Sequence, residues 1–180
     1  MAWETSELTG PGGEDWRVPV SELQDRQSRL SSRLAEEEIE SVFIEDPVEL
    51  YWLTGGRQNS AILLGSEGSG IQTTHWVRRS LKRAIFEGGG DDCPHQIEDH
   101  PRMGELGSMM VKSGCSKAPA MLAGKVPHGR WSFIRSKISD LDGSPSDCTG
   151  VLFGMRELKS EWEIGMIRKS GEVNLSMFEA

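Results

Sequence analysis

The sequence lacks the spacings that usually identify a metal, nucleotide or serine-hydrolase site. The three cysteines, Cys93, Cys115 and Cys148, are far apart and form no C-x-x-C pair, so a structural zinc site is not expected. The four histidines form neither H-x-x-x-H nor H-E-x-x-H. The glycine-rich runs match neither G-x-G-x-x-G nor G-x-x-x-x-G-K-[ST], and G-x-S-x-G is absent. We therefore expect no cofactor, metal or catalytic residue in this chain.

Long apolar runs and excess basic charge are also missing. No apolar stretch approaches the roughly 20 residues that cross a bilayer, and the first residues lack the basic and apolar regions of a signal peptide. The net charge is −8, from 20 basic and 28 acidic residues, which repels nucleic acid phosphates. An odd number of widely spaced cysteines is typical of reduced thiols. We expect a cytoplasmic protein with neither a membrane nor a nucleic acid partner.

Apolar patterns along the chain predict strands that alternate with helices, and hence a three-layer α/β/α domain. The expected organisation is a flexible lead-in over residues 1–17 with Trp3 and Trp16 as anchors, a domain over 18–155, and a helix over 156–180. The predicted strands span residues 41–44, 60–64, 71–76, 96–98 (at an edge), 120–123 and 148–153, and the predicted helices 48–53, 78–87, 103–112 and 131–138. A further helix is expected to start at Ser21 with a Ser21–Gln24 capping box and to bury Leu23, Leu30 and Leu34. The hairpin between the second and third strands makes the predicted sheet mixed.

Three segments carry most of the information about function. Asp46 to Gly55 reads DPVELYWLTG, in which Asp46 is expected to cap a short helix and Thr54-Gly55 to reverse the chain. Adjacent helical residues point about 100° apart, so one of Tyr51 and Trp52 should be buried and the other partly exposed. The other two segments are Trp76 to Ala84, WVRRSLKRA, and Arg156 to Ile164, RELKSEWEI.

In this order, the three segments resemble the N-terminal domain of the creatinase/prolidase/Xaa-Pro aminopeptidase family, over about residues 18–180. The resemblance implies a mixed, ribonuclease-H-like sheet and a non-catalytic domain that mediates homodimerisation and shapes access to the active site. It also implies an absent C-terminal catalytic domain that holds two divalent ions (Mn, Co or Zn), activates a water and cleaves Xaa-Pro peptides. Trp52, Arg57, His75 and Arg78 lie near the motif loops and are the candidate residues of the active-site wall or interface.

Two other classes of function remain open from the residues alone. A peptidase-like domain can serve only as a protein-binding module for basic partners, which the acidic composition permits. An independent α/β enzyme could instead use Glu45 and Asp46 at a strand end to hold Mg²⁺, although other acids for a metal pair have no recognisable placement. His95 and His100 flank Glu98 and Asp99, a segment that we interpret as a solvated acidic loop rather than a metal site.

The last helix is the element whose packing the sequence leaves most open. From residue 157 to 180 its apolar residues fall on two faces, with Trp162, Met166 and Val173 on one and Ile164, Ile167 and Leu175 on the other. A helix that is apolar on two sides needs cover on two sides. We therefore expect residues after about Lys169 to fray or to pack on a second copy of the chain.

Overall fold

A four-stranded mixed sheet forms the centre of the computed structural model, which describes residues 13–179. Its strands are β1 (Ser41–Ile44), β2 (Ser60–Gly65), β3 (Thr74–Val77) and β4 (Gln96–Asp99). They lie in the order β1-β2-β3-β4, with β1/β2 and β2/β3 antiparallel and β3/β4 parallel. The mixed sheet and the edge position of β4 are therefore confirmed.

Helices cover both faces of this sheet, as the three-layer prediction requires. They are α1 (Val20–Glu36), α2 (Pro47–Thr54), α3 (Leu81–Glu87), α4 (Leu106–Lys112), α5 (His128–Lys137), α6 (Thr149–Glu157) and α7 (Glu161–Glu179), with 3₁₀ turns at Gly90–Asp92 and Met103–Glu105. Because strand side chains alternate between faces, two apolar cores result. Val42 and Ile62 pack with α1, α2 and α6, whereas Phe43, Leu63 and Trp76 pack with α4 and α5.

Beyond β1 the sheet continues only as isolated bridges. Ala120 pairs in parallel with Val42, and Met121 pairs in parallel with Asp147. The amide of Phe43 donates to the carbonyl of Ala120 at 2.8 Å, and the amide of Ala120 donates to Ser41 at 2.8 Å. The predicted strand at residues 120–123 is thus a bridged segment rather than a full strand.

The predicted last strand over residues 148–153 is wrong, since Cys148 is the N-cap of helix α6 and the other residues lie within that helix. Cys148 and Leu152 are buried and Met155 packs against the same core, which is the i, i+4, i+7 spacing of a helix face. Asp147 fixes the start, because its Oδ1 accepts from the amide of Thr149 at 2.9 Å and from the Thr149 hydroxyl at 2.5 Å. A run this short fits both periods, and the hydrogen bonds from Asp147, one residue before the N-cap Cys148, favour the helix.

Smaller differences concern where elements begin. Helix α1 begins at Val20 with Pro19 as its N-cap and no side-chain cap, so the predicted Ser21–Gln24 capping box does not form. Strand β3 begins at Thr74 rather than at residue 71, and α3 begins at Leu81 rather than at residue 78. The side chain of Ile85 on α3 is exposed. The predicted burial of Leu23, Leu30 and Leu34 is confirmed.

The described part of the lead-in packs on the domain. Arg17 donates from Nη1 to the carbonyl of Phe86 at 2.9 Å and lies 4.3 Å from the centre of that ring. Trp16 is half-buried, whereas Trp3 lies outside the described residues. None of the described helices is both long and apolar enough to span a membrane.

Candidate functional site

Helix α2 has the capped, sharply terminated form that its sequence predicts. Asp46 Oδ1 accepts from the amides of Val48 and Glu49, both at 3.1 Å. Gly55 ends the helix at φ 68°, and a Cβ there would lie 3.0 Å from the carbonyl oxygen of Glu87, so glycine is required on both counts. Tyr51 is 39% exposed and Trp52 only 6%, which confirms the expected division between the two aromatic side chains.

A pocket of about 550 Å³ lies where β1 and β3 end and β2 begins; we call it the sheet-end pocket. Its lining comprises Glu45, Asp46, Pro47, Asn59, Ser60, Arg78, Lys125, Val126, Pro127 and Arg130. Three cations and two carboxylates therefore face one cavity. The loops at the ends of adjacent strands bring them together, as is usual for binding sites in α/β proteins.

The carboxylate of Glu45 is held between two arginines in this pocket. Arg130 Nε donates to Oε2 at 2.8 Å, and Arg78 Nη2 donates to Oε1 at 3.3 Å. Asp46, besides capping α2, lies 3.4 Å from Lys125 Nζ. Because these oxygens already accept from cations and amides, the pair does not fit a Mg²⁺ site. No group of three or more His, Cys, Asp or Glu side chains that could hold a metal occurs among residues 13–179.

A second charged cluster surrounds Glu87, whose side chain is almost fully buried at the end of α3. Its carboxylate accepts from Arg57 Nη2 at 2.9 Å, Arg83 Nε at 2.9 Å and Gln58 Nε2 at 2.7 Å. Burial raises the pKa of Glu87, but the hydrogen bonds from Arg83, Gln58 and Arg57 outweigh it and hold that pKa below its ordinary value. The cluster fixes the loop after α2 and leaves part of Arg57 in solvent.

His75 and His95 form a buried pair beneath α1. Their ring centres lie 5.5 Å apart, and His95 Nδ1 is 2.9 Å from Gln27 Nε2, which also donates to the carbonyl of Leu53. Among the described residues, neither ring nitrogen of His75 has a hydrogen-bond partner. Burial, with a smaller contribution from His95, lowers the pKa of His75 to about 3, and burial lowers the pKa of His95 to about 4. The expected solvated loop at His95 is therefore wrong, since this side chain is buried.

The first and third sequence motifs meet in space. Glu49 of α2 accepts from Arg156 Nη1 at 2.8 Å and from Lys125 Nζ at 2.5 Å. Trp52 Nε1 donates to Glu163 Oε1 at 3.2 Å. The side chains of Glu49 and Trp52 are both buried, so the RELKSEWEI segment packs against helix α2 at these two residues.

The four residues predicted from sequence lie in different environments. Arg78 lines the sheet-end pocket, Arg57 belongs to the Glu87 cluster, Trp52 contacts α7, and His75 is enclosed beside His95. Sequence analysis missed the paired acids Glu49, Glu87 and Glu163. A signal for Glu163 was available, because Ser160-x-x-Glu163 is a capping box, and the structure forms it with bonds of 2.9 and 3.1 Å.

No protein-family model and no curated protein sequence matches this chain. Solved structures match it. The Xaa-Pro dipeptidase from Bacillus anthracis superposes with a TM-score of 0.71 at 14% identity, over 87% of this chain and 42% of that one. The N-terminal domain of cytoplasmic peptidase PepQ from Mycobacterium tuberculosis H37Rv gives 0.58 at 14% identity, over 72% of this chain and 97% of its own. A creatinase/prolidase-like N-terminal domain from Corynebacterium diphtheriae gives 0.55 at 15% identity, over 69% and 96%.

This chain has the fold of a creatinase/prolidase N-terminal domain. The likeness is one of fold, at identities of 14–15%. The chain spans less than half of the Bacillus anthracis dipeptidase but nearly all of the two isolated N-terminal domains. The likeness of fold therefore extends over 69–87% of this chain.

Proposed function

We propose that this chain is the non-catalytic N-terminal domain of a metal-dependent Xaa-Pro peptidase. In the complete protein it serves in dimerisation and shapes access to the active site, and the catalytic domain that follows α7 holds two divalent ions (Mn, Co or Zn). The substrate is a peptide with proline after the first residue. Free cysteines at positions 93, 115 and 148 are consistent with a cytoplasmic location.

The proposal rests on the creatinase/prolidase N-terminal fold taken together with a helix α7 that is fixed to the domain at its first turn. The matching structures include an Xaa-Pro dipeptidase whose chain extends well beyond the part this chain covers. Helix α7 is fixed to the domain at Glu163, but Ile167 is 60% exposed and Phe178 is 90% exposed. Apolar side chains on a helix surface are stabilised only when another surface covers them. A catalytic domain supplies that surface.

The access role falls on the two candidates whose side chains reach solvent. Arg57 and Arg78 follow α2 and β3, close to the end of the sheet where loops from different strands meet. Their cationic groups suit the carboxylates of short peptides. Trp52 and His75, which are enclosed, support these loops from below.

The test uses the complete gene product and this 180-residue chain side by side. The complete protein should hydrolyse Xaa-Pro peptides with Mn²⁺, Co²⁺ or Zn²⁺ and lose activity with a chelator, whereas the 180-residue chain should not cleave them. Absence of cleavage of any Xaa-Pro peptide by the metal-loaded complete protein would overturn the proposal. Cleavage by the 180-residue chain alone would overturn it equally.

Matched arginine variants of the complete protein test the access role separately. Arg57→Ala and Arg83→Ala each remove an ion pair with Glu87, so both should lower stability. Only Arg57→Ala should raise KM, by about 10-fold, as expected for the loss of one charge-assisted hydrogen bond to substrate. Equal KM values in the two variants would remove Arg57 from the access role and leave the peptidase assignment standing.

A further inference from the structure

Arg26 is a charged side chain buried in the middle of helix α1, only 2% exposed. Its guanidinium donates from Nε to Glu22 Oε1 at 2.9 Å and from Nη1 to the carbonyl of Trp52 at 2.8 Å. Its Nη2 lies 3.3 Å from Glu163 Oε1. A single arginine therefore joins α1, α2 and the first turn of α7.

Two tryptophan rings border the same guanidinium. The Arg26 Cζ atom lies 5.2 Å from the centre of the Trp52 ring and 5.5 Å from the centre of the Trp162 ring. Arginine stacks well on aromatic faces, and burial strengthens the attraction. The first turn of α7 thus contributes both an aromatic side chain, Trp162, and a carboxylate, Glu163, to the same cation.

Glu163 also caps its own helix. Its Oε2 accepts from the amide of Ser160 at 2.9 Å, while its Oε1 accepts from Trp52 Nε1 at 3.2 Å. The two oxygens are therefore used for different purposes: one holds α7 together and the other holds α7 to the domain.

Three residues, 158–160, connect α6 to α7. Leu158, which ends α6 in an extended conformation, is 79% exposed. On the α6 side of this segment Arg156 is fixed to Glu49, and on the α7 side Glu163 is fixed to Trp52. From Ile167 to Phe178 every described side chain of α7 is exposed. The direction of α7 is therefore determined by contacts in its first turn.

We propose that Arg26, Trp52, Trp162 and Glu163 form a latch that sets the direction in which α7 leaves the domain. With the latch closed, α7 projects in one direction. With the Arg26–Glu163 contact broken, α7 turns about residues 158–160 while α6 and the sheet remain folded. The inference rests on contacts within this chain and not on the proposed peptidase function, so either can fail without the other.

The experiment measures one distance by pulsed electron spin resonance in the 180-residue chain. Spin labels replace two exposed residues, Ser28 on α1 and Arg168 on α7, in a Cys93→Ser background; Cys115 and Cys148 are buried. The spin-labelled chain with unchanged latch residues should give a narrow distance distribution. Glu163→Ala should at least double its width. Ser160→Ala is the matched control, since it removes a cap hydrogen bond but keeps the carboxylate, and it should stay narrow.

Hydrogen exchange on the same variants separates release of α7 from unfolding. Glu163→Ala should speed exchange in residues 162–166 by about 10-fold or more, while amides of strand β1 keep their protection. A broad distribution before mutation, or a Glu163→Ala distribution as narrow as the parent, would overturn the latch. So would loss of protection in β1 together with α7, because Glu163 would then hold the whole domain rather than one helix.

Discussion

At the scale of single residues, burial decides the charge of two histidines, His75 and His95. His75 is fully buried, and the pKa of its ring falls to about 3 because the charged form cannot be hydrated there. In the unfolded chain, the pKa of a histidine returns to about 6.5. Below that value the unfolded state binds more protons than the folded state, so the free energy of unfolding must fall as the pH falls. His95 adds to the same effect, with a pKa of about 4 in the folded state.

We predict that replacing His75 by leucine weakens the loss of stability between pH 7 and pH 5. Each buried neutral histidine costs up to about 1.4 kcal/mol per pH unit below its unfolded pKa. His75→Leu should remove part of that slope, because His95 and His100, whose pKa values burial also lowers, remain. The urea midpoint at pH 7, 6 and 5 measures it, with His128→Gln, at an exposed position, as the control.

An unchanged slope in His75→Leu would show that other groups control acid stability in this range.

Glu87 affects stability in a lower pH range. Hydrogen bonds hold its pKa below the ordinary value, so their stabilisation of the fold is fully present above that ordinary value. It is lost as the pH falls below the ordinary value and through the lowered pKa of the folded state. The two effects are therefore separable by pH.

Single residues also show what the sequence could have revealed about the site. Arg26 and Gln27 lie at the same helical spacing as Leu23, Leu30 and Leu34, and all five are buried. A polar pair on an apolar helix face therefore signals buried partners, here Glu163 and His95. The identity of those partners could not be predicted, since Glu163 is 137 positions from Arg26 and only the fold brings them together.

At the scale of elements, long periodic segments were predictable and short apolar runs were not. Helix α1 and strands β1 and β2 lie where their patterns place them, because each has several buried positions in register. Helix α6 was predicted as a strand. Its run CTGVLF is too short to distinguish the two periods, and the deciding contact, Asp147 with Thr149, depends on a polar residue outside the run.

We predict that Asp147 is required for the stability of α6. Asp147→Ala should lower the free energy of unfolding by about 1 to 2 kcal/mol, since the amide of Thr149 and the amide of Ala123 lose their acceptor. Asp147→Asn retains an acceptor oxygen and should lose less. Chemical denaturation measures the difference, and Asp140→Ala at a nearby exposed turn is the control. Equal stability of Asp147→Ala and the parent would contradict this explanation for α6.

At the scale of the whole molecule, uncovered apolar surface should lead to self-association. Ile167 and Phe178 are exposed and lie 11 positions apart, which places them on one face of α7 after about three turns. We predict a dimer or a monomer–dimer mixture at micromolar concentration by light scattering. Replacing both residues by glutamate should shift the mixture to monomer, whereas Asp91→Lys at a distant exposed site should not.

A strict monomer over the micromolar range would contradict that prediction. A dimer that persists in the double glutamate variant would place the interface elsewhere on the domain. The creatinase/prolidase N-terminal fold does not indicate which surface forms the interface, because its core residues are buried whether the dimer forms through α7 or through another surface of the domain.

Helix α7 is long compared with the contacts that fix it, and this gives the molecule a mechanical property. Its 19 residues extend about 28 Å at 1.5 Å per residue. Because its first turns are packed on the domain and its side chains from Ile167 to Phe178 are exposed, the proposed latch makes it a lever arm whose fulcrum lies at residues 158–160. A tilt of about 10° at the fulcrum moves the far tip by about 5 Å over that length. Rearrangements of less than one side-chain width around Arg26 are therefore amplified into displacements as large as a helix turn.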